Sequence, residues 1–192
     1  MKSVPFALVI SRLVLAAVII VITISDLAES GIILACLILT GVLTDLFDGI
    51  IARRLGVATE KLRTWDSNVD VVFWLTAIAC VFVLNPDFVL QNYLLISMLL
   101  MAEASLYVIS WFRFKRTVAT HTYLAKIWTF FLLVFITDLA IRETAGISFY
   151  VCFGLGMISR LEIAAILLRL KNWQTDVKSI YAVRRLNQNQ TK

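Results

Sequence analysis

Four aspartates carry the chemistry open to this chain. Asp45 and Asp48 are three residues apart, Asp66 and Asp70 are four apart, and each pair sits at or near the end of a strongly apolar segment. On helices each pair lies on one face, about one turn apart. Two such helices facing each other place four carboxylates around one cavity. A carboxylate is costly to hold in a membrane, so four converging ones need a partner that neutralises them. Hard divalent cations with oxygen ligands are the natural occupants, Mg2+ first.

The elements that must position these acids are membrane helices. The chain has 192 residues, is 60% hydrophobic and has a mean hydropathy of +0.88. A soluble domain of this length has no interior large enough for so much apolar surface. The alternating pattern of a membrane β-barrel is missing. The expected fold is therefore all-α and integral to the membrane, a single domain over 1–192 with six transmembrane helices. Apolar windows place the spans at about Pro5–Ser25, Gly31–Ile51, Asp66–Leu84, Leu90–Phe112, Tyr123–Ile141 and Ile147–Leu170. Asn85-Pro86-Asp87 is expected to stop the third. The first run contains Arg12 and lacks a small-residue cleavage site, so it reads as a retained span. From about Lys171 to Lys192 the chain turns polar, and the spacing of Trp173, Val177, Ile180 and Tyr181 fits a short C-terminal interfacial helix. Cys36, Cys80 and Cys152 lie within apolar runs without metal-ligand spacing, as buried, inert thiols do.

Loop charge sets the orientation. Arg53, Arg54, Lys61 and Arg63 follow the second span, Arg113, Lys115 and Arg116 follow the fourth, and further basic residues fill the tail. The opposite loops are acidic or nearly neutral. The positive-inside rule then puts both termini and the aspartates on the cytoplasmic side, as in a bacterial inner membrane. The net charge of +5 serves orientation and contact with anionic membrane lipids, not nucleic-acid binding. A site at that interface can meet both a lipid tail and a water-soluble nucleotide.

The aspartates belong to a longer pattern, Asp-x-x-Asp-Gly-x-x-Ala-Arg, then eight residues, then a fixed position followed by x-x-x-Asp-x-x-x-Asp. With Asp45, Asp48, Gly49, Ala52, Arg53, Asp66 and Asp70 in place, the chain closely resembles the CDP-alcohol phosphotransferase (CDP-alcohol phosphatidyltransferase) family. The signature covers residues 45–70, and the likeness extends to the six-helix plan. The one departure is Leu62, where the family has glycine; a bulky side chain there narrows the nucleotide pocket or changes the donor's approach.

The resemblance implies transfer of a phosphatidyl or similar phospho-group from a CDP-linked lipid donor, CDP-diacylglycerol foremost, to an alcohol, with release of CMP. It implies two divalent cations, Mg2+ or Mn2+, and a homodimer. Asp45, Asp48 and Asp66 would be metal ligands, and Asp70 both a metal ligand and the general base for the acceptor hydroxyl. Gly49 and Ala52 leave room for the CDP moiety to lie close to the helix, and Arg53 can fork onto phosphate or stack on cytosine.

The acceptor is less constrained. A small, polar, phosphorylated alcohol such as glycerol 3-phosphate needs Lys or Arg near the cavity. Lys126 and Arg160 are the leading candidates, because each lies inside or at the edge of an apolar run. Snorkelling, or pairing with Glu162 or Asp138, is an equally good account of both. Arg113, Lys115 and Arg116 read better as topology charges, and His121, the only histidine, as a polar interface residue. Arg12 either reaches the interface or contacts a carboxylate of the site, and Glu103 calls for a cation or a subunit contact. The rival to metal binding is that Asp45 and Asp48 pair with Arg12 or Lys126 as a structural ion network, which leaves the spacing of Asp66 and Asp70 unexplained. Two rival functions stand beside the enzyme. A small transporter would spread its acids through the membrane depth, whereas here they gather at one interface. A non-catalytic nucleotide- or lipid-binding member would have Leu62 as its sign.

Overall fold

Six apolar runs give six long helices among the described residues. The computed structural model describes residues 4–25, 27, 29–54, 60–116, 122–170, 172 and 177–183; for 4–8, 48–54 and 60–67 it describes the course of the backbone without the side chains. The helices are α1 (Val4–Ile24), α2 (Ser30–Arg54), α3 (Glu60–Leu84), α4 (Pro86–Phe114), α5 (Tyr123–Arg142) and α6 (Ile147–Arg169). No strand occurs among the described residues. Helices are what lipid demands, since each satisfies its own backbone polar groups.

Three boundaries differ from the apolar windows by three residues or more, and α2 is one of them, ending at Arg54 and not near Ile51. Helix α3 begins at Glu60, because a helical backbone continues through polar residues beyond the apolar run. Helix α4 begins at Pro86, because a proline's missing N–H costs nothing in the first turn. Asn85 closes α3 just before it, its side-chain amide donating to the Val81 carbonyl at 2.8 Å. Helices α4 and α5 end on Lys115 and Glu143 in the left-handed region, at φ 54° and 58°. Their N–H groups donate back to Trp111 and Leu139 at 2.9 and 3.0 Å, which closes each helix in the manner usually left to glycine.

Four stretches are long and apolar enough to cross a membrane: Ser30–Phe47, Pro86–Phe114, Tyr123–Arg142 and Ile147–Arg169. Val9–Ile24 and Asn68–Leu84 are apolar but shorter, among the described residues. Large exposed side chains such as Val21, Leu90, Met101 and Leu161 leave an apolar exterior suited to lipid. Of the C-terminal helix expected from Lys171, residues 180–183 form a helical turn, and most of the rest lies outside the described residues.

The helices form two compact units. The first comprises Met1–Phe88 with Ile136–Thr144, the second Val89–Phe135 with Ala145–Lys192. In the first, α1 packs against both α2 and α3. The buried stripe of α1 reads Val9, Arg12, Ala16, Ile19, so a cation occupies a core position. Contacts here are close enough to need glycine. A Cβ on Gly31 would run into the Ala140 carbonyl oxygen, and one on Gly41 into the Phe73 ring. In the second unit, Leu106 packs with Ile163 and Leu167, and Val177 and Val183 of the C-terminal segment are buried against Ile166 and Leu170. Arg113 donates to the Leu170 carbonyl at 3.0 Å, and the Tyr123 N–H to that of Lys178 at 3.2 Å. Cys80 and Cys152 are buried as expected, but Cys36 is exposed. An apolar run does not distinguish lipid from protein as a residue's surroundings.

Candidate active site

The first unit brings two of the four aspartates to one point. Asp45 lies near the end of α2 and Asp70 in the middle of α3. Both reach Arg12 of α1. Its Nη1 donates to Asp45 Oδ1 at 2.8 Å and also pairs with Oδ1 of Asp70. The Arg12 side chain is wholly buried, while those of Asp45 and Asp70 are 43% and 31% exposed. The cation therefore lies behind two carboxylates that keep an accessible side.

Local sequence explains the placement. Position 12 falls on the buried stripe of α1, which faces α2 and α3 together. Asp45 sits one helical turn beyond Gly41, where the Phe73 ring closes on the bare backbone of α2. Phe73 is three residues after Asp70 on α3, so the same close approach sets the height at which the two carboxylates meet.

Two carboxylates from separate helices meeting at one guanidinium form a part-buried ion network, and their oxygens are of the type that hard divalent cations take. Among the described residues no three His, Cys, Asp or Glu side chains cluster in a way that could hold a metal ion. The other two proposed ligands fall on the same helices, Asp48 on α2 and Asp66 on α3, and their side chains lie outside the described residues. So do the side chains of Ala52 and Arg53 and the surroundings of Gly49 in the last turns of α2, and the side chain of Leu62 in the first turn of α3. His121 is not described.

The acceptor candidates belong to the second unit. Lys126 is exposed in the first turn of α5, a turn capped by the buried Thr122, whose Oγ1 accepts the Ala125 N–H at 3.1 Å. Arg160 on α6 is buried. Its Nε donates to Glu103 Oε2 at 2.8 Å, and its guanidinium stacks 3.6 Å from the centre of the Trp128 ring. Its Nη1 is buried with no hydrogen-bond partner. Asp138 pairs instead with Arg142 at 3.2 Å. Glu103 on α4, which called for a cation or a subunit contact, thus has its cation on α6.

Arg12 is the residue that the aspartate pattern does not contain. A lone arginine in an otherwise uncharged apolar run was the signal for it.

Residues 2–169 match the model of one protein family, described as CDP-alcohol phosphatidyltransferase. Comparison with curated proteins and with solved structures gave no match.

Proposed function

This chain belongs to the CDP-alcohol phosphatidyltransferase family, and we propose that it moves a phosphatidyl group from CDP-diacylglycerol to a small phosphorylated alcohol. The acceptor oxygen bonds to the lipid-side phosphorus. The bond from that phosphorus to the bridging oxygen breaks, CMP leaves, and Asp70 takes the hydroxyl proton. The reading is carried by one observation: Asp45 and Asp70, from two helices, converge on a single buried positive atom.

Asp45, Asp48, Asp66 and Asp70 hold divalent metal, Mg2+ or Mn2+, which when bound neutralises the diphosphate and stabilises the departing CMP. Gly49 and Ala52 let the nucleotide lie against α2, and Arg53 grips its phosphate or base. For the acceptor, Arg160 and Lys126 are the candidates; Arg160 already has a counter-ion in Glu103 and a ring partner in Trp128, and its buried Nη1 keeps one donor unused. Lys126 is the second candidate, an exposed ammonium at the start of α5.

All six helices cross the membrane in this reading, the first span starting at about Pro5 and the third at about Asp66, with Lys61 and Arg63 left on the cytoplasmic side. Loop charge supports a site on the cytoplasmic leaflet and both termini on that side. The family supports a homodimer. The reading is tested by incubating purified protein with CDP-diacylglycerol, Mg2+ and a panel of alcohols while following CMP. Release that depends on glycerol 3-phosphate or a similar phospho-alcohol is expected. Folded protein that releases no CMP with any alcohol would instead be the non-catalytic binder that Leu62 suggests.

A further inference from the structure

Arg12 sits where the proposed metal ligands meet, and neither the signature nor its chemistry accounts for it. A fully buried guanidinium is costly unless compensated, and the compensation here is Asp45 and Asp70 together. Asp45 and Asp70 are also the carboxylates that a cation between α2 and α3 would draw on, so the two positive charges would share one pair of counter-ions.

We propose that Arg12 is a positioning residue: its guanidinium is a built-in counter-ion that neutralises Asp45 and Asp70 before metal arrives and competes with the divalent cation for them, while the close packing at Gly41 and Phe73 sets the distance between the helices. The inference rests on the metal-holding role given to these aspartates above. Without metal, two carboxylates on neighbouring helices repel, and Arg12 removes that repulsion from behind, leaving their exposed side open to the incoming ion. A divalent ion held by Asp45 and Asp70 would take over the neutralising role and weaken their hold on the Arg12 guanidinium. Neutralisation without metal would then come at the cost of weaker metal binding, which would make occupancy responsive to the divalent-ion level.

The sign of the effect separates this from a purely structural role. Removing a unit positive charge next to a cation site strengthens cation binding. A strut whose loss lets the carboxylates drift apart would weaken it. Mn2+ binding is therefore measured by electron paramagnetic resonance on purified wild-type, Arg12→Gln and Arg12→Lys protein in detergent, without substrate. Arg12→Gln is expected to bind Mn2+ at least about tenfold more tightly. Mg2+ should also raise its melting temperature more than it raises that of wild type, because the ion restores a neutralisation the variant has lost. Arg12→Lys, which keeps the charge, should stay within about threefold of wild type in Mn2+ affinity. Folded Arg12→Gln with unchanged or weaker Mn2+ binding would overturn the proposal.

A measurement on wild type does not depend on that variant folding. In protein carrying 15N-arginine, the guanidinium resonance assigned to Arg12 by its absence from Arg12→Lys should shift on Mg2+ saturation. A resonance that stays in place while Mg2+ binds would overturn the proposal. Wild-type protein that binds no divalent ion would fail differently, because it removes the metal reading itself.

Discussion

Arg160 on α6 donates through Nε to the Glu103 carboxylate on α4 at 2.8 Å, bridging residues 57 apart in the chain. The Trp128 ring on α5 covers the guanidinium, so three helices of the second unit meet at one charge. Glu103→Ala leaves that charge buried without its counter-ion. The expected loss of stability is about 1–2 kcal/mol, less than for a fully enclosed pair because the Glu103 side chain is 40% exposed. Thermal melting in detergent checks it, and an unchanged midpoint would show the pair to be incidental. If Arg160 also receives the acceptor, Arg160→Lys should raise KM for the phospho-alcohol while leaving that for CDP-diacylglycerol nearly unchanged.

Asp70 has a different signature. Asp70→Asn keeps the size of the side chain but cannot take a proton. Donor binding should remain largely intact, while turnover falls by about 10²–10⁴-fold, the usual share of a general base. CMP release against equilibrium CDP-diacylglycerol binding separates the two effects, and wild-type turnover in the variant would remove the assignment.

Two glycines should respond in opposite directions to the same change. Gly31→Ala drives a methyl into the Ala140 carbonyl oxygen, a backbone atom that cannot swing aside. The expected cost is about 1–3 kcal/mol. Gly154 on α6 has open space where its Cβ would go, so Gly154→Ala should be neutral or gain up to about 1 kcal/mol of helix propensity. Equal melting temperatures for the two variants would contradict the close packing of α2 against the end of α5.

Local features were the legible part of the fold. Apolar run length located all six helices, and the ends of α1, α5 and α6 fell within a residue or two of the windows. The start of α3 was less legible, since hydropathy marks the lipid boundary and not the last helical hydrogen bond. The pairing of residues far apart was illegible. Nothing in the sequence around Glu103 points to Arg160, because helix periodicity says which face a residue is on and not which helix that face meets. Arg12 was legible as a partner for a site carboxylate, since it is a lone cation in an apolar run, but which of the aspartates it meets was not. The membrane sharpens this limit: lipid-facing and protein-facing residues are both apolar, as the exposed Cys36 and buried Cys80 illustrate. The aspartate spacing was informative for the opposite reason. Its chemistry is held within two short stretches, so the pattern could be read before the helices were placed.

The central claim is that Asp45 and Asp70 form part of a divalent-cation site acting on a CDP-linked lipid. Its most direct measurement is CMP release from CDP-diacylglycerol plus glycerol 3-phosphate as Mg2+ is titrated, with wild type beside Asp45→Asn. Wild-type release should require Mg2+ and stop when the ion is chelated, and Asp45→Asn should need far more Mg2+ or release nothing. CMP release that ignores chelation, or Asp45→Asn titrating like wild type, would contradict it.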